Sequence, residues 1–375
     1  MLGRILVGSN LTKVIVITTI LVIALGGTIR IYDAGESCPD WPLCFGTFGF
    51  NISEEEQEKW WEENPDEIDS RGSSHRYTTF QIFTEWIHRF LAGMVLAPLV
   101  FLNWFILRND ERYGKDMVTA TKLSVILILW QGAVGMLTVR MDNKHWSVIL
   151  HLGSALAFMM VMIWIWAIIS RERKTDWISF DPEFSEKWKN KLFTVSGLTL
   201  ITLFSGTLVS TSPGANYGCG INGFYDSWPL CQGELFSKIA VDEIVAKSQM
   251  IHRWLVGLVG ITLIVIYLNM RHEFSKQNKE GSLLMKWILA ATITYILNIL
   301  LGGLYVLSWT VEGYLEILSL IHLLLASTSF ILLATTCIGI LMTLKTNKYL
   351  KIKYRLRLEM NEKVYGSSKF IFIFD

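Results

Sequence analysis

Ile87-His88-Arg89-Phe90-Leu91-Ala92-Gly93 returns as Ile251-His252-Arg253-Trp254-Leu255-Val256-Gly257, and the reading of this repeated phrase decides the fold. Each copy lies near the start of a long apolar stretch. Each is followed, two apolar stretches later, by a further histidine, His151 or His322. Asp40-Trp41-Pro42-Leu43-Cys44-Phe45-Gly46 precedes the first copy, as Asp226-Ser227-Trp228-Pro229-Leu230-Cys231-Gln232-Gly233 precedes the second. Gly27-Thr28 matches Gly206-Thr207, and Gly132 and Gly135 stand against Gly302 and Gly303. One plan is written twice.

Outward from the repeat, apolar residues are bunched rather than spread. Eight runs are long enough to cross a hydrocarbon core of ~30 Å, which takes roughly 20 helical residues. They lie near 13–31, 84–107, 119–139, 147–169, 191–210, 250–270, 283–307 and 315–343. Period-two alternation is missing, which argues against a β-barrel. The expected fold is an all-α integral membrane protein with eight transmembrane helices, arranged as two pseudo-symmetric four-helix bundles. The halves are 1–170 and 191–345, joined by a linker at 171–190 and followed by a charged tail at 346–375. Four helices per half is an even number, so the halves share one orientation. The loops on the linker's side carry fourteen Lys and Arg against seven on the other. The basic side is therefore cytoplasmic, both termini included, in a plasma membrane. The tail basics suit anionic headgroups; nucleic-acid binding is not implied. The first run has a small-x-small site at Ala24-Leu25-Gly26, but it matches the fifth run and is read as a helix of the fold, not a cleaved signal.

Histidine in hydrocarbon is costly without a partner. His88, His151, His252 and His322 all lie near the outer ends of even-numbered segments, so each half can bring two imidazoles together in its core. A porphyrin between each pair, ligated by His88 and His151 in one half and by His252 and His322 in the other, accounts for all four. Core histidines bonded to backbone are the alternative; zinc would ask for three or four close ligands. Arg89 and Arg253 follow their histidines and suit either a heme propionate or the headgroups. His75, His145 and His272 fall outside the repeat and read as surface residues. Glu85 stands three residues before His88 and shares its helix face, whereas the matching residue before His252 is Gln249. A carboxylic acid can exchange a proton with a reacting centre and an amide cannot, so Glu85 is a candidate catalytic acid; a helix N-terminal carboxylate is the plainer reading.

Cys38 and Cys44 share one outer loop, Cys219 and Cys231 another. An oxidising outer compartment would join each pair, as a structural bond or as a redox relay. Cys337 reads as a packing residue. Residues 51–76 form an acidic insertion without a counterpart in the second half, read as a solvated flap or a dock for a basic partner.

Gly26-Gly27-Thr28-x-Arg30, Ser37-Cys38-Pro39-Asp40-Trp41-Pro42-x-Cys44-x-Gly46, Glu85-x-x-His88-Arg89 and the later His151 together resemble the heme A synthase family over nearly all of 10–345. The resemblance implies conversion of heme O to heme A by O2-dependent oxidation of a ring methyl to a formyl group, for cytochrome oxidase biogenesis. It implies a substrate heme near His88 and His151 with Glu85 as a catalytically important acid, a heme b on His252 and His322, and a Cys38–Cys44 disulfide. Its expected partners are heme O, molecular oxygen, an electron donor outside the chain, heme O synthase or cytochrome oxidase assembly factors, and the lipid bilayer. Cys219 and Cys231 stand further apart than the first pair, and the acidic insertion is long for this pattern. A diheme b-type electron-transfer protein acting on quinone is the alternative, although such proteins usually carry two histidines on each of two helices. A transporter is a second; it would show polar groups near the midplane.

Overall fold

A computed structural model describes residues 2–175, 177–212, 214, 217–237, 244–279, 282–312 and 314–365; over 2–7, 311–312 and 358–365 the description is of backbone only. Lys238, one of the outer-loop basics, and the closing 369–374 segment lie outside these residues. The described chain is helical, with only isolated bridges besides. Eight helices are long and apolar enough to cross a membrane: Gly8–Ile31, Thr79–Leu107, Lys115–Arg140, His145–Glu172, Pro182–Thr211, Ile244–Lys276, Leu283–Thr310 and Glu316–Arg357. Each covers the corresponding apolar run to within one residue, and several reach beyond it. The fifth starts at Pro182, inside the stretch expected to be linker. Asp181 caps it through Glu183 N–H and Phe184 N–H, at 2.9 and 3.2 Å, and proline suits the first helical position. Burial opposes ionisation of Asp181, yet bonds from Lys279 and these two amides hold its carboxyl below the usual range. The last helix runs on to Tyr365, because Lys, Leu and Arg are good helix formers with no Gly or Pro to stop them before Gly366.

Apolar burial falls in two large clusters. One is built on Ile15, Val100, Met117, Phe158, Met162 and Ile165, the other on Phe184, Val195, Leu263, Met270, Ile288 and Ile340. The linker joins the second: Ile178 and Phe180 are buried in it, and Phe180 lies so close to Gly339 that a Cβ there would meet its ring at 2.5 Å. It is thus a packed segment, not a surface strap. Lipid gives helices no hydrophobic reason to associate, so close packing and polar contacts do that work. His145 Nδ1 meets Thr211 Oγ1 at 2.7 Å, Arg30 donates to the Ser210 carbonyl, and Arg171 donates to the Met342 carbonyl at 3.0 Å. These contacts tie the first and fourth spans to the fifth and eighth. Ile17, Leu129, Leu258 and Leu300 are exposed, as lipid-facing residues are.

The second span is interrupted at Leu91–Leu96 by a π turn. Pro98 has no N–H to give to residue 94, and the ladder shifts register there; Ala97 N–H bonds Ala92 O instead. The sixth span carries no proline and runs as one α-helix over Ile244–Lys276.

The acidic insertion is not a loose flap. Helix Glu54–Glu63, closed by a Ser53/Glu56 capping box, buries Trp61 against Phe45, Tyr77, Ile82 and the first cysteine pair. The Gln57 side chain bonds the Tyr77 backbone at both N–H and C=O, at 2.8 and 3.0 Å. The acids of this helix face water. Beside it Glu36 is buried, which raises its carboxyl pKa despite a hydrogen bond from Asn143. His75 is half-buried, edge-on to Tyr77 with ring centres 4.7 Å apart, and so is not a plain surface residue. His145, though exposed, is held by Thr211, and His272 is exposed.

Candidate functional site

The four repeat histidines stand at similar depth. His88 follows the start of its helix at Thr79, His151 that at His145, His252 that at Ile244 and His322 that at Glu316. At 1.5 Å per residue each lies roughly 9–14 Å below its helix start. His88 and His151 face each other with ring centres 6.4 Å apart.

Glycines make the room. A Cβ on Gly26 would meet His88 Cε1 at 3.3 Å, on Gly135 His151 Cε1 at 3.2 Å, on Gly206 His252 Cε1 at 2.9 Å and on Gly302 His322 Cε1 at 2.7 Å. The repeat is thus kept in three dimensions, with Gly26 in the role that the sequence match gave to Gly27. Gly27 instead packs on Leu323, Gly303 on Trp228, and Gly132 meets nothing within 4 Å. On the expected heme ligation, Gly302→Ala displaces His322 and cuts the reduced heme absorbance of purified protein. Gly26→Ala, with the looser contact, should cut it less; equal spectra in the two variants would remove this role from the glycines.

Ring nitrogens are held from behind. His252 Nδ1 lies 2.8 Å from Ser205 Oγ, His322 Nδ1 lies 2.9 Å from the Asn298 carbonyl, and His151 Nδ1 lies 3.3 Å from Gln131 Nε2. The Val22 backbone faces His88, with no hydrogen bond of regular geometry at Nδ1 among the described residues. The oxygens behind His252 and His322 fix those rings and leave Nε2 as the nitrogen able to hold a metal.

Both cysteine pairs are joined, Cys38–Cys44 and Cys219–Cys231. Each pair closes a loop ending in the same turn. Phe45 and Gly46 have φ of 50° and 72°, Gln232 and Gly233 of 53° and 77°, and Cys44 pairs with Thr47 as Cys231 pairs with Glu234. Two consecutive left-handed residues make a type I′ turn, which is why each cysteine is followed by x-Gly.

The residues flanking the histidines reach into these loops. Glu85, 3 % exposed, accepts from Cys38 N–H at 2.9 Å and Ser37 Oγ at 3.0 Å through Oε2. Its Oε1 pairs with Arg89 at 2.6 Å. Arg89 also donates to the carbonyls of Cys38, Asp40 and Leu43, at 2.7, 2.5 and 2.8 Å. Gln249 accepts from Cys219 N–H at 2.9 Å, and Arg253 donates to the Leu230 carbonyl at 2.5 Å. The expectation that both arginines turn to propionates or headgroups therefore needs correction. Both terminal nitrogens of Arg89 are spent on the first loop and Glu85, while buried Arg253 Nη2 has no partner among the described residues. Sequence spacing placed Glu85 and His88 on one face; it could not show that the loop would take the carboxylate. Gln131 was missed altogether, although it stands four residues before Gly135 as Asn298 stands before Gly302.

The chain is similar to known proteins over most of its length. The profile of the family described as cytochrome oxidase assembly protein, COX15-CtaA, matches residues 9–308, ending before His322. A protein named heme A synthase from Shewanella oneidensis is 26 % identical over 64 % of this chain and 66 % of its own length. One of that name from Exiguobacterium sibiricum is 25 % identical over 76 % and 82 %, and one from Flavobacterium psychrophilum 24 % over 84 % and 92 %. With the family profile covering most of the chain, this protein belongs to the COX15-CtaA family of cytochrome oxidase assembly proteins.

Proposed function

We propose that this protein is a heme A synthase, a membrane enzyme that oxidises a methyl group of heme O to a formyl group. The first half, 1–170, takes the substrate heme at His88 and His151; the second, 191–345, holds heme b at His252 and His322. The observation that carries this reading is the 6.4 Å separation of the His88 and His151 rings. Two imidazoles bonded to one metal from opposite sides, each at ~2 Å, have ring centres about 6 Å apart. The residues fit the group in two further ways. The four glycine contacts are cradles that any side chain would fill, and the orphaned Arg253 Nη2 is a donor suited to a carboxylate.

Heme, when bound, supplies the oxidative chemistry with molecular oxygen and electrons from an outside donor; the protein supplies placement and electrostatics. His88 and His151 would hold and orient the substrate. Arg89 and Glu85 seat the Cys38–Cys44 loop beside it. Glu85 is the residue that can hold or release a proton, at Oε2 against Ser37 Oγ, where Gln249 cannot. Heme O synthase and cytochrome oxidase assembly factors are the partners this reading supports. Both disulfide loops and the histidine ends of the helices share one side, and the excess of Lys and Arg lies on the other. That supports a plasma-membrane protein with both termini in the cytoplasm. Expression in cells that make heme O and lack heme A tests the function: extracted cofactors should include heme A. A pure electron carrier would yield none.

A further inference from the structure

The two halves hold their fourth-segment histidines with opposite polarity. Gln131 and Asn298 occupy matching places, one turn before the glycines that cradle His151 and His322. At Asn298 the group facing Nδ1 is a backbone carbonyl, 2.9 Å away. A carbonyl only accepts, so His322 carries its proton on Nδ1 and keeps the Nε2 lone pair free. His252 is held likewise. Ser205 spends its hydroxyl hydrogen on the Thr202 carbonyl at 2.7 Å and accepts from Nδ1 at 2.8 Å. A ligating histidine whose other N–H is held by an acceptor is the stronger donor to a metal.

At Gln131 the sign is reversed. Its Nε2 donates to the His151 carbonyl at 2.9 Å and faces Nδ1 at 3.3 Å. Its Oε1 accepts from Ser154 Oγ at 2.5 Å. The opposite amide orientation would set Oε1 against the His151 carbonyl oxygen with no hydrogen between them, so the orientation is fixed by its neighbours. An N–H directed at Nδ1 favours the lone pair there and the proton on Nε2, which is the wrong tautomer for ligation. Among the described residues no acceptor is bonded to His151 Nε2.

We propose that Gln131 is a positioning residue that makes His151 the weaker of the two first-half ligands, and so marks the side of the substrate heme that opens to a small diatomic molecule. This rests on the heme reading above and deepens it. The second half, with acceptors behind both rings, stays closed.

The test uses full-length protein purified with heme O, reduced, and titrated with carbon monoxide. Wild type should bind it at the first-half heme, while the heme b signal stays unchanged. Gln131→Leu should raise the low-spin fraction and weaken carbon monoxide binding about tenfold, the scale of one hydrogen bond. Gln131→Met, unbranched and of similar length, serves if leucine impairs folding. His151→Ala should keep its heme in a five-coordinate spectrum, and His88→Ala should lose it. Unchanged carbon monoxide binding and spin state in the Gln131 variants overturn the proposal, as does heme retention with the opposite histidine dependence. A wild-type protein that takes up no heme O overturns the heme reading itself, and this assignment with it.

Discussion

Glu85→Gln is expected to leave both hemes bound while heme A formation falls by about a hundredfold or more, the scale of a lost general acid or base. The second half shows why the fold tolerates the change. Gln249 occupies the matching place and accepts from Cys219 N–H at 2.9 Å, as Glu85 accepts from Cys38 N–H. A glutamine at 85 can make the same contact. Arg89 loses its carboxylate but retains three backbone carbonyls, so the loop keeps its clamp. Removing one member of a buried ion pair ordinarily costs ~3–5 kcal/mol; those carbonyls should hold the loss well below that. Glu85→Ala removes the loop contact too, and should add sensitivity of the 38–44 segment to proteolysis. The readout is heme A extracted per bound heme, and an undiminished yield from Glu85→Gln would refute the proton role.

The second large effect is expected from His252→Ala, which should abolish the heme b spectrum of the second half. The ring is enclosed by Gly206 and held at Nδ1 by Ser205, and alanine offers the metal no ligand on that side. Ser205→Ala, which removes only the support behind the ring, should shift the spectrum without erasing it. Reduced-minus-oxidised spectra of purified protein distinguish the cases. A heme b signal that survives His252→Ala would show that the ligands were misassigned.

Much of this was legible in the sequence because membrane helices must be long and apolar, and because a repeat shows each signal twice. The eight spans, the four histidines and the two cysteine pairs all follow from that. What was not legible is direction across elements. Spacing along a helix cannot say that Arg89 turns to loop carbonyls, that Phe180 dives from the linker into the core, or that Trp61 folds the acidic insertion onto the cysteines. Gln131 was invisible for a related reason. Its partner in the repeat acts through backbone, so no side-chain match drew attention to it. Pro98 stood in plain view, but the break at Leu91–Leu96 was not anticipated from it.

That break has a consequence for anyone who would exchange the second and sixth spans. Ahead of it, inward residues correspond as Ile82 with Ala246, Glu85 with Gln249 and His88 with His252. Past it, the buried Val100, Asn103 and Leu107 correspond to Leu263, Ile266 and Met270, one position out of step. A chimera joined upstream of Leu91 preserves both faces. One joined downstream of Leu96 by simple counting rotates the graft by about 100° and turns Asn103 out of its buried place.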